Sequence, residues 1–89
     1  MYKVDWTSRF KKDYKKIAKQ GKAQIVDTVI EKLEKGEVLE AKFCDHALQG
    51  AYKGTRECHI EPNLLLIYKK QDDILVLTCL RVGSHSELF

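Results

Sequence analysis

A chain of 89 residues, 44% hydrophobic and 33% charged, has room for one domain (residues 1–89) and a small core, in the composition range of ordinary globular proteins. No apolar run approaches the ~20 residues that span a bilayer, and the start Met1-Tyr2-Lys3-Val4-Asp5 lacks the charged-then-apolar order of a secretory signal, so a cytoplasmic chain without membrane contact is expected. The net charge of +3 is unevenly spread: residues 1–36 hold ten Lys/Arg against five Asp/Glu, and residues 37–89 hold six against eight.

Met1 to Trp6 alternates weakly and reads as a short strand. Thr7 and Ser8 are good N-cap residues, and Phe10, Tyr14, Ile17 and Ala18 then fall on one helical stripe that Gly21 ends. Ile25, Val26, Val29, Ile30 and Leu33 predict a second amphipathic helix stopped at Gly36, hence a helical hairpin. Residues 37–50 show no period and read as an ordered loop anchored by Leu39, Phe43 and Leu48. From Ala51 the period becomes two, with Lys53, Thr55, Glu57, His59 and Glu61 on one side and Tyr52, Cys58 and Ile60 on the other. Arg56 falls on the apolar side, a mismatch that a bulge near Gly54 would relieve. Pro62-Asn63 and Asp72-Asp73 mark turns between apolar runs Leu64–Tyr68 and Ile74–Leu80, which belong in the middle of a sheet. Ser84 and Glu87 form a capping-box pattern and predict a short final helical turn. The expected fold is α+β, in the order β-α-α-β-β-β, with the hairpin on one face of a small, mostly antiparallel sheet and the other face open to a substrate.

Cys44, Cys58 and Cys79 are odd in number, widely spaced and without a CxxC pair, so neither a disulfide framework nor a zinc site is indicated. No glycine loop for phosphates is present, and no cofactor or metal is expected. The basic run between Arg9 and Lys22 has seven Lys/Arg and one acid, Asp13. It is equally consistent with a solvated helix face and with contact to a polyanion.

The three histidines, His46, His59 and His85, all lie in the second half with Arg56, Arg81 and a terminal Phe89. RNA cleavage through the 2′-hydroxyl needs a base, an acid and a cation for the phosphate, and histidine alone titrates near neutrality without perturbation. Antiparallel pairing would bring His59 and His85 together beside Arg81, with the Phe89 ring free to stack on a base. Lys53, Arg56 and Asn63 are expected to contact RNA from the same segments.

The linked motifs Asp45-His46-Ala47-Leu48-Gln49-Gly50, Tyr52-Lys53-Gly54, Arg56 and Cys58-His59-Ile60-Glu61-Pro62 resemble the YafQ branch of the RelE/ParE toxin superfamily. So does the ending Arg81-Val82-Gly83-Ser84-His85-Ser86-Glu87-Leu88-Phe89. The resemblance implies a RelE-like toxin that cuts mRNA in the ribosomal A site, a cognate antitoxin that silences it, and operator DNA bound only by the pair. His46, His59, Arg81, His85 and Phe89 match functional positions of the branch: His59 and His85 for proton transfer, His46 assisting, Arg81 on the phosphate, Phe89 on a base. Lys11, Lys12, Lys15 and Lys16 would then contact ribosomal RNA, apart from the histidines. Where the branch commonly has aspartate and tryptophan after Glu61-Pro62, this chain has Asn63 and Leu64. Asn63 can hydrogen-bond but cannot act as a carboxylate. Two other outcomes stay open: a ParE-like toxin that inhibits DNA gyrase, which leaves the histidines without purpose, and an inactive antitoxin-binding co-repressor.

Overall fold

The computed structural model describes residues 1–89. β1 (Lys3–Trp6) leads into α1 (Ser8–Lys19) and α2 (Ala23–Glu34), followed by the 3₁₀ turn Ala41–Phe43, the two-residue strand β2 (His46–Ala47) and the 3₁₀ turn Gly50–Tyr52. β3 (Arg56–Glu61), β4 (Leu64–Gln71), β5 (Val76–Gly83) and α3 (His85–Leu88) complete the chain. The sheet order is β1-β5-β4-β3-β2, antiparallel except where β1 runs parallel to β5. No helix is long and apolar enough to cross a membrane.

The two helices form where the apolar spacing requires them. Thr7 caps α1, its hydroxyl accepting the Phe10 N–H at 3.0 Å. Gly21 and Gly36 take left-handed φ values of 77° and 79° just past the helix ends, a conformation that costs glycine no Cβ clash. Phe10, Ile17, Val26, Val29, Ile30 and Leu33 pack from the hairpin onto Leu64, Leu66, Tyr68, Leu77, Cys79 and Val82. Burial raises the Cys58 and Cys79 thiols to about 12, so both serve as small hydrophobes.

Several expectations need correction. Residues 37–50 are no continuous loop: His46 and Ala47 pair with Glu57 and Arg56 and add a fifth strand. β3 begins at Arg56, not Ala51, and Gly54 lies in the preceding turn with φ 91°; the bulges fall instead between His59 and Glu61 and opposite Ile67–Tyr68, where Leu80 is the extra residue of β5. β5 starts at Val76, because Ile74 and Leu75 belong to the turn, Leu75 at φ 53°. The second face of the sheet is also less open than expected. Leu65 and Ile67 are buried there beneath Leu88, with Leu48, Tyr52 and Leu80 packed around them.

β4 is therefore covered on both sides, and its apolar run needs no alternation. Leu66, fully buried beneath the helices, is expected to cost about 2–5 kcal/mol on replacement by Ala. Urea denaturation measures this, and a loss below the range would place the main core elsewhere. α3 holds through its capping box and through an ion pair between Lys16 of α1 and Glu87. Lys16 first, then the Ser84 N–H and hydroxyl, draw the Glu87 carboxyl down to about 2 from 4.5. Since the folded value lies below the unfolded one, this contribution is complete above pH 4.5 and is lost as pH falls towards 2. Glu87→Gln should flatten the acid limb of the stability curve over that window, and an unchanged limb would show the pair to be idle.

Candidate RNA-cleavage site

Register builds the site. Across the sheet, His46 pairs with Glu57, Glu57 with Ile67, and Ile67 with Arg81, giving one row over four strands. The next row runs from His59 through Leu65 to Gly83. Directly paired residues on antiparallel strands share a face, so both rows lie on the side away from the helical hairpin, the side carrying Leu65, Ile67 and Leu88. His59 and Gly83 stand two strand spacings apart, about 10 Å, and His85 follows two residues later.

Glu57, which sequence reasoning passed over as one polar residue in an alternating strand, is the only buried charged side chain. Its Oε1 lies 3.5 Å from His46 Nε2 and 3.4 Å from His59 Nε2, with the two imidazole centroids 6.3 Å apart. His46 Nδ1 donates to the Cys44 carbonyl at 2.7 Å, which places the proton on that nitrogen. Both imidazoles thus turn the same nitrogen towards one carboxylate. No group of three or more His, Cys, Asp or Glu is arranged to hold a metal ion.

Arg81 sits at the other end of the row. Its side chain is only 14% exposed, and its Nε and Nη2 donate to Asp13 Oδ2 and Oδ1 at 2.7 and 3.3 Å. Asp13, then Tyr52, hold the guanidinium pKa above its ordinary value. β1 pairs β5 only as far as Cys79, and α1 takes over the exposed edge: the Thr7 hydroxyl donates to the Leu80 carbonyl at 2.9 Å, and the Val82 N–H donates to Asp13 at 3.2 Å.

The C-terminal residues form the remaining wall. The His85 ring lies 5.1 Å from Phe89, and Phe89 meets Tyr52 edge-on at 5.7 Å. Phe89 remains 55% exposed, available to a flat ligand. Asn63 Oδ1 accepts the His85 N–H at 3.3 Å, so its amide oxygen secures the start of α3.

One of the expected RNA contacts lies on the other face of the sheet. Arg56 shares its face with Cys58, on the helix side of the sheet, and donates to Asp45 at 2.6 Å; Asp45 also accepts from the Tyr68 hydroxyl. That partner, not a bulge, is what makes a cation on the apolar side tolerable. Lys53 is exposed in the turn after Tyr52, on the site's rim. Lys11, Lys12 and Lys15 are exposed on α1, while Lys16 is tied to Glu87. The stripe is thus not apart from the histidines: α1 touches the site through Asp13 and Lys16. A cavity of about 720 Å³ opens between α2 and the end of β3. His59 lies on its wall with Ile25, Val29 and Phe43, but Arg81, His85 and Phe89 do not.

Residues 2–89 match the family model described as the bacterial toxin of type II toxin–antitoxin system, YafQ. An mRNA interferase toxin YafQ of Escherichia coli strain B/BL21-DE3 is 33% identical over 90 residues, covering 97% of this chain and 94% of that protein. A shorter match to the mRNA interferase toxin YafQ of strain K12 is 47% identical over 51 residues, 57% of this chain and 53% of that protein. Among solved structures, the E. coli DinJ–YafQ complex has a chain that superposes with a TM-score of 0.88 at 33% identity, covering 100% of this chain and 99% of that one. With the family match spanning nearly the whole chain and the fold shared, this protein belongs to the YafQ family of type II toxin–antitoxin toxins.

Proposed function

We propose that residues 1–89 act as one toxin domain, an endoribonuclease that cuts mRNA on the translating ribosome in the cytoplasm. The observation that carries the reading is the gathering of two imidazoles on a buried carboxylate, a tethered guanidinium and a histidine–phenylalanine pair on one face of the sheet. A gyrase-binding role would use none of this chemistry.

In the proposed reaction His59 takes the proton of the ribose 2′-hydroxyl, and the oxygen attacks the adjacent phosphorus. Glu57 stabilises the imidazolium that forms, and His46 assists from the other side of the same carboxylate. Arg81 balances the charge that gathers on the phosphate oxygens. His85 gives a proton to the departing 5′ oxygen, leaving a 2′,3′-cyclic phosphate and a 5′-hydroxyl. Phe89 stacks on a base beside the cut, and Lys53 meets the backbone at the rim. Asn63 supports His85 through its backbone, so no carboxylate at that position is required.

The E. coli relative assembles with DinJ. By the same logic this toxin is held by a cognate antitoxin, and operator DNA is bound by the pair only. Lys11, Lys12 and Lys15 are free to approach ribosomal RNA from the flank of the site.

His59→Ala and His85→Ala should each lower mRNA cleavage in a cell-free translation system by about 10²–10⁴-fold, read by primer extension, with the circular dichroism spectrum unchanged. Wild-type cutting by either variant would remove that residue from proton transfer, and inhibited supercoiling with intact mRNA would favour the gyrase reading. Replacing Lys11, Lys12 and Lys15 with Gln should weaken ribosome association and flatten its salt dependence by roughly one unit of log–log slope for each phosphate no longer neutralised. An unchanged slope would make the stripe a solvated face.

A further inference from the structure

We infer that Asp13 is a positioning residue for cleavage, holding the Arg81 guanidinium so that only its remaining N–H groups can meet the scissile phosphate. The inference rests on the proposed phosphate-binding role of Arg81 and extends it to a residue outside the histidine-bearing segments.

Asp13 is the one acid between Arg9 and Lys22, in a helix otherwise lined with lysine. Placed near a bound phosphate, a carboxylate repels the substrate, so electrostatic affinity for RNA does not explain its presence. Geometry does. The carboxylate takes two of the five guanidinium donors, Nε–H and an Nη2–H, in a side-on pair. It also accepts the Val82 N–H, and this backbone bond fixes the carboxylate to the strand that carries Arg81. The plane of the guanidinium is thereby set before substrate arrives, which removes rotamer freedom that binding would otherwise have to freeze.

A residue with this role affects turnover and affinity differently. Removing the charge of Asp13 relieves repulsion of the phosphate while freeing Arg81 to adopt unproductive orientations. In the full-length toxin acting on ribosomes programmed with mRNA, Asp13→Asn should lower the maximal cleavage rate about ten- to a hundredfold, while the half-saturating ribosome concentration stays within about threefold or falls. Asp13→Glu, which keeps the charge but moves it by a methylene, should lose less. In an Arg81→Ala background neither substitution should slow cleavage further, because both act through the guanidinium. In ¹⁵N spectra the Arg81 Nε–H resonance should be distinct from those of exposed arginines in the wild type and should merge with them in Asp13→Asn.

A wild-type maximal rate in Asp13→Asn with the Nε–H signal merged overturns the inference. So does an equal loss of rate in the Arg81→Ala background, or a loss that appears entirely as weaker ribosome binding. Should Asp13→Asn fail to fold, Asp13→Glu decides, and an undiminished rate in that variant also overturns it. If Arg81→Ala itself cleaves at the wild-type rate, the phosphate role of Arg81 falls and Asp13 with it. An impaired Arg81→Ala beside a fully active Asp13→Asn removes Asp13 alone.

Discussion

Strand β4 is buried on both faces from Leu64 to Tyr68, so its neighbours can attach only in the register that seals each of these side chains. Leu64, Leu66 and Tyr68 go beneath the helices, and Leu65 and Ile67 beneath the C-terminal turn. A slip of one residue would exchange the two sets and expose both. With β4 fixed, β3 presents Glu57 and His59 on the face of Ile67 and Leu65, and β5 presents Arg81 there too. The polar groups of the site are spaced by an apolar ladder.

Carboxylates do the fine placement. Glu57 stands between two imidazoles, Asp13 orients a guanidinium, and Asp45 joins Arg56 to the Tyr68 hydroxyl on the opposite face. Burial and Asp45 together push the Tyr68 phenol far above its ordinary value, so it remains a donor at any physiological pH. No buried side-chain nitrogen or oxygen lacks a partner. In a core this small, an unpaired polar group would cost a sizeable part of total stability, and each cation that enters a face brings its own acid from another element.

Features with a long period could be read from the sequence. The apolar stripes of α1 and α2 (apart from Ala18 and Ile25, which are exposed), their terminal glycines, the Ser84–Glu87 box and the alternation that put Glu57 and His59 on one face all appear where the residues indicated. β2 could not be read, because two residues carry no period and its pairing depends wholly on β3 already being present. The pairing of Arg56 with Asp45, eleven residues away, could not be read either. Glu57 and Asp13 carried no local signal: one resembled an ordinary solvent-facing strand residue, the other a stray acid in a basic helix. Their significance lies in contacts that sequence separation hides, 68 residues in the case of Asp13 and Arg81.

The extra residue at Leu80 decides which side of β5 its last turn of chemistry occupies. Up to Cys79 the odd-numbered positions point at the helices; past the bulge the even-numbered ones do, which is why Val82 is core and Arg81 is not. Strict alternation would have driven the guanidinium into the apolar layer and left valine on the face of Glu57 and His59. The chain between Cys79 and Arg81 thus works as a parity switch: gaining or losing a single residue there would move Arg81 off the face it shares with Glu57 and His59, and only changes in pairs would keep it there.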